Sequence, residues 1–169
     1  NKWKEFSKDK KFRDLQDDHA AIVTKATYVP MIAARISAAT GEDKSRIENR
    51  LEDDPALLAT VMSTANNAGK YAGDYWTKSL EGKTFLNQST PAILENLRKA
   101  RLEMIPTTYK NALASGGNKQ GYVNRANDDY TRAMAIAEPK PSYIPNMAAS
   151  SAANKTSEAV TQTTPPAES

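Results

Sequence analysis

Asp54–Gly69 reads DPALLATVMSTANNAG, and the fold of the chain turns on this stretch. Asp54 is a helix N-cap residue whose carboxylate can accept from the first free backbone N–H groups. Pro55 follows in the first turn, where a missing N–H costs nothing, and Gly69 is a natural helix stop. Between them Leu57, Leu58, Val61, Met62 and Ala65 leave little of the helix surface polar, which predicts a buried central helix. A helix of that kind is stable only when other elements cover it from several sides.

The flanking sequence supplies helices to do so. Upstream, Phe12, Leu15, His19, Ile22, Val23 and Ala26 recur at steps of three and four, one face of an α-helix. Tyr28-Val29-Pro30 is expected to end that helix, because the residue before proline is pushed out of the α region. Pro30 then opens a second helix bearing Ile32 and Ile36, closed by Gly41. A short charged helix over 45–53 carries Ile47 and Leu51 one turn apart. Downstream, residues 71–81 form a helix with Tyr75, Trp76 and Leu80, capped or interrupted near Gly73 and closed by Gly82. Ser89-Thr90-Pro91 begins another through Ile93, Leu97, Arg101 and Met104, which Pro106 is expected to break. A short helix to Ala114, a turn at Ser115-Gly116-Gly117, and a last helix over about 120–137 with Tyr122, Ala126, Tyr130, Ala133 and Ala137 complete the series. No segment alternates with period two. The expectation is an all-α domain, a compact orthogonal bundle of about seven short helices over residues 1–137.

Residues 138–169 differ. Pro139, Pro141, Pro145, Pro165 and Pro166 stand among many Ala, Ser and Thr, a composition that buries too little to offset its ordering entropy. This stretch is read as a linker or extended tail, with Tyr143, Ile144 and Met147 as its one apolar cluster.

Composition excludes whole classes of chemistry. The 169 residues contain no cysteine and one histidine, which removes disulfide frameworks, thiolate zinc sites, cysteine nucleophiles and multi-histidine metal centres. No metal and no cofactor are expected. Lys and Arg number 23 against 20 Asp and Glu, a net charge of +3. That excess does not by itself point to nucleic acid, and no nucleic-acid partner is expected. No run approaches the length of a membrane span.

The residues that remain for chemistry are few. His19 lies on the apolar face of the first helix and is read as a core histidine rather than a catalyst. Asp17-Asp18, Glu52-Asp53-Asp54 and Asp128-Asp129 are adjacent carboxylates, read as polar helix faces and helix starts rather than acid–base pairs. Glu81 follows an apolar run and is read as a helix-end residue. Ser63, Asn66 and Asn67 end the central helix. They either line a cleft or simply terminate the helix, and asparagine suits sugar hydroxyls and acetamido groups because it donates and accepts at once. Tyr71, Tyr75 and Trp76 follow, aromatics of the kind on which sugar rings stack.

Taken in order, Trp3-Lys4-Glu5, Phe12 with Leu15-Gln16, Tyr28-x-Pro30, Gly41, Val61-Met62-Ser63-Thr64-Ala65 with Gly69, and Ile93-Leu94 with Arg98 and Arg101 form a series. Over roughly residues 2–135 it resembles the C-terminal half of phage and bacterial peptidoglycan hydrolases with a lysozyme-like, chitosanase-like helical fold, which occur as virion-associated enzymes, endolysins and secreted cell-wall enzymes. The resemblance implies a lysozyme-like helical lobe and cleavage of the glycan strand between amino sugars by a protonated carboxyl. It implies a phage virion as the location, and the peptidoglycan glycan strand and other virion or tail proteins as partners. Gln16, Tyr28, Ser63 and Asn67 are the groove positions it carries over. In that family the catalytic glutamate precedes the Trp-Lys stretch, so the acid is expected upstream of Asn1 and the resemblance assigns no catalytic residue here. The family also often has His near the position of Asn67. The alternative is a non-enzymatic helical structural or ejection protein of a phage virion.

Overall fold

A computed structural model describes residues 8–138. The Trp3-Lys4-Glu5 opening and the tail beyond Glu138 lie outside the described residues. Those described are helical in eight α-helices: α1 (Lys10–Val23), α2 (Val29–Thr40), α3 (Lys44–Asp53), α4 (Pro55–Ala68), α5 (Ala72–Leu80), α6 (Thr90–Thr108), α7 (Lys110–Ala114) and α8 (Lys119–Ala137). A π-helical turn, Thr24–Tyr28, joins α1 to α2, and a 3-10 turn, Gly69–Tyr71, joins α4 to α5. No strand occurs among the described residues, so the bundle is all-α. It departs from uniformly short helices in that α6 and α8 run to 19 residues each.

Helix α4 is the centre. The Asp54 carboxylate accepts from the N–H groups of Ala56 and Leu57 at 3.0 and 3.2 Å, and Gly69 ends the helix with φ 52°. Helices α2, α3, α5, α6 and α8 all pack against it. The core around it is built from Ile32 and Ile36, Ile47 and Leu51, Leu57 and Val61, Trp76 and Leu80, and Ile93 and Leu97, all essentially inaccessible to solvent. Each such aliphatic side chain stabilises by about 1.5–3 kcal/mol on burial. Trp76 is fully buried, edge-on to Phe85 at 6.3 Å, and its indole N–H donates to Thr64 Oγ1 at 3.2 Å. Trp76 is therefore core and offers no face to a sugar.

The loop from α5 to α6 is held by two charged side chains of the opposite sign. Glu42 accepts from the N–H groups of Phe85 and Leu86 at 2.6 and 2.9 Å. The Arg50 guanidinium donates to the carbonyls of Phe85 and Leu86 at 2.7 and 2.8 Å, donates also to that of Gln88, and lies over the Phe85 ring. The loop thus satisfies its backbone without a strand partner.

Three expectations are corrected. Tyr28-Val29-Pro30 does not end a helix: the chain stays helical, and the Val29 N–H returns to the Thr24 carbonyl in a widened turn. Such a turn is where a helix can admit a proline that has no N–H to return and whose ring presses on the carbonyl four residues back. Pro106 does not break α6, which continues to Thr108. The proline sits within a turn of the end, where only one intrahelical bond is lost. Third, the apolar face of α1 is not in the core. Leu15 is 67% exposed and Ile22 65%, and His19 is exposed rather than buried. Among the described elements, the only substantial neighbour of α1 is the π-turn that continues it.

Candidate functional site

Ser63 and Asn67 stand one turn apart at the C-terminal end of α4 and so share a face. That face is turned toward α8, which can approach closely because Ala126 and Ala133, both buried, line its inner side. The Asp129 carboxylate of α8 lies between α4 and α6 and gathers their polar groups onto a single oxygen. Asn67 Nδ2 donates to Asp129 Oδ2 at 3.0 Å, the Arg101 guanidinium donates to it at 2.9 Å, and the Ser63 hydroxyl donates to it as well. Asn67 Nδ2 is also 3.3 Å from Ser63 Oγ. Arg101 is 8% exposed and Asp129 15%, so this is a nearly buried ion pair. A charge in that position is tolerated only when paired and hydrogen-bonded.

Two tyrosines extend the network. Tyr109, at the junction of α6 and α7, donates its hydroxyl to the Asn67 carbonyl at 3.2 Å, and its ring stacks on Tyr122 of α8 with centroids 3.8 Å apart. Arg125 approaches Asn67 Oδ1 at 3.4 Å.

Outside the network lies an open cavity of about 500 Å³, walled by Asn67, Asn124, Arg125, Asp128, Asp129 and Arg132, with Gly121 at its edge. Its two arginines and two aspartates all come from α8, and the Asp129 charge is already balanced from behind by Arg101. The opening therefore carries a small positive excess and a row of amides. Asp128 is exposed to solvent.

The structure brings together two of the four positions expected in a groove. Asn67 lines the cavity, and Ser63 stands behind it against Asp129. Gln16 is exposed on α1, and Tyr28 is half-buried in the π-turn against the core; neither lines the cavity. Of the aromatics after α4, Tyr71 is partly exposed and Tyr75 is buried.

Sequence reading missed Asp129 and Arg101. It placed Asp128-Asp129 together on a polar face, whereas Asp128 points to solvent and Asp129 packs inward. The signal was present: Tyr122, Ala126, Asp129 and Ala133 follow one another at steps of four, three and four. Arg101 likewise falls on the Leu94–Leu97 stripe of α6.

A general acid needs a carboxyl held above its ordinary range. The two carboxyls clearly displaced here move the other way. The bidentate grip of Arg98 on Glu95, 2.7 and 3.0 Å, outweighs burial and holds that carboxyl down to about 2. Burial raises Glu42, but the Phe85 and Leu86 N–H groups, Thr40 and Arg50 together bring it below the usual value. Among the described residues, no group of three or more His, Asp and Glu is placed to hold a metal ion, and no helix is long and apolar enough to cross a membrane.

Compared with protein-family models, curated proteins and solved structures, the chain matches none.

Proposed function

We propose that the helical body binds a peptidoglycan glycan strand in the cavity beside Asn67, as one wall of a cleft in a phage virion-associated cell-wall enzyme. The observation that carries this reading is the cavity itself. It is open, polar and lined by amides and guanidinium groups, next to a residue singled out from the sequence for sugar recognition. Asn124 and Arg132 offer donors and acceptors to hydroxyl and acetamido groups. The domain holds the strand, and the proton for cleavage comes from another surface. Asp129 has one oxygen committed to three donors, and Asp128 is exposed to solvent.

The test is co-sedimentation with purified cell-wall sacculi. The chain is expected to pellet with them, and Arg132→Ala combined with Asn124→Ala to weaken retention about tenfold, roughly 1.4 kcal/mol. On the same sacculi the chain alone is expected to produce no clearing. Retention unchanged by the double substitution would remove the cavity from the account.

One observation favours a second reading, a non-enzymatic helical component of a virion. The exposed apolar face of α1, on which no other described helix packs substantially, suits a protein that works by packing against neighbours.

A further inference from the structure

Helix α1 and the π-turn that continues it carry Leu15, His19 and Ile22, then Ala26 in the turn, at steps of four, three and four, the spacing of a coiled-coil seam. Every one of them is exposed, Leu15 and Ile22 by about two thirds (67% and 65%), and Val23 beside them by 38%. No other helix among those described packs substantially on α1. Along one edge of the seam stand Lys11, Asp18 and Lys25, each seven residues from the next and alternating in sign. All three are exposed.

We infer that α1 pairs with α1 of a second copy of this chain, antiparallel, with the two-fold axis beside Ala21. The edge charges and the apolar seam together select that arrangement. With the axis there, Asp18 of each copy meets Lys25 of the other, His19 meets Ile22, and Leu15 meets Ala26, each contact made twice. Moving the axis half a heptad toward the N-terminus sets Asp18 against Asp18 once and Lys11 against Lys25 twice, three like-charge clashes, and moving it a full heptad pairs Asp18 with Lys11 but sets His19 against Lys8 in the seam. A parallel pair sets Lys11 near Gln16 and Asp18 near Val23, and gains no charge pair at all. Opposite charges across a seam fix partner and register more than they add affinity. Three or four turns of helix bury less than a standard interface, so the dimer forms in the micromolar range. The inference deepens the packing reading and is independent of glycan binding, since the seam and the cavity share no residue.

Sedimentation equilibrium of the whole chain from about 5 to 500 μM tests it. The expected result is a concentration-dependent rise from 18.5 kDa to twice that mass. Asp18→Lys alone and Lys25→Glu alone are each expected to weaken pairing about tenfold, and the two together to restore it. Leu15→Asp with Ile22→Asp is expected to stay monomeric with its helical circular dichroism intact. The chain has no cysteine, which permits a register test. An equimolar mixture of Asp18→Cys and Lys25→Cys chains is expected to cross-link on oxidation faster than either variant alone. A native chain that stays monomeric throughout the range, a double charge swap no better than the single ones, or preferential cross-linking of Asp18→Cys to itself would overturn the inference. Sacculus binding by the monomeric Leu15→Asp/Ile22→Asp variant separates failure here from failure of the glycan reading.

Discussion

Asp129 does the work of several core residues, because three donors from two other helices end on its carboxylate. Asp129→Ala leaves Arg101 nearly buried without a counter-charge and is expected to destabilise the fold by about 3–5 kcal/mol, measured by urea unfolding. Asn67→Ala removes one donor and leaves the ion pair, so a loss of only about 1 kcal/mol is expected in the same assay. Thr64 is a second such residue. Its hydroxyl accepts from Trp76 Nε1 while donating to the Thr60 carbonyl at 2.9 Å. Thr64→Val keeps the shape but strands the indole N–H in the core, for an expected loss of about 1–3 kcal/mol. Polar residues of this kind explain why the site was harder to read than the fold. Leu57 and Ile47 announce burial by their chemistry alone. Asp129 and Arg101 announce it only through their spacing from Ala126 and Leu97, and the adjacent Asp128 masks that signal by suggesting a solvated acidic pair.

At the level of the helix, starts and stops were legible because capping is local. Asp54, Ser89, Gly41 and Gly69 cap where side-chain chemistry and left-handed backbone say they should. The two proline positions were not legible, since a proline's effect depends on whether the neighbouring turns can widen or end around it. Pro106, exposed and inside α6, takes away the N–H that would return to the Leu102 carbonyl. Pro106→Ala is expected to raise the stability by about 1–3 kcal/mol, visible as a higher thermal midpoint. Gly117 behaves in the opposite way. A Cβ there would sit 2.6 Å from the Ala112 carbonyl oxygen, which already accepts the Gly117 N–H at 2.8 Å. Gly117→Ala must displace backbone, and it is expected to unseat the end of α7 and lower the midpoint by several degrees.

Across the whole molecule, α1 is the element that sequence periodicity reads least well. A stripe at steps of three and four states that a face is apolar without stating what covers it, so the same pattern serves an internal core and an external seam. The loop that closes the core is similar: Glu42, between α2 and α3, and Arg50, on α3, reach it from about 40 residues away in sequence, a pairing no local pattern encodes. Global stability should also report the Arg98 grip. With its folded carboxyl at about 2 against an ordinary 4.5, Glu95 stabilises the fold above pH 4.5, and that contribution fades as pH falls from there through 2. Because the pair is nearly one-third exposed, about 1 kcal/mol is expected after screening. Glu95→Gln should therefore lower stability at pH 7, by an amount that shrinks as pH falls from 4.5 through 2. At the alkaline end, burial lifts the Tyr75 phenol to about 12. Stability is then full below pH 10 and is lost as pH rises from there through 12, a loss that Tyr75→Phe removes.

The glycan reading is tested most directly by following backbone amide resonances while a soluble glycan-strand oligosaccharide is added. Binding beside Asn67 is expected to give concentration-dependent shifts at Asn67, Asn124, Arg125 and Arg132, with Leu15 and Ile22 of α1 unmoved. Silence along residues 121–132 at millimolar oligosaccharide, or shifts confined to α1, would contradict it.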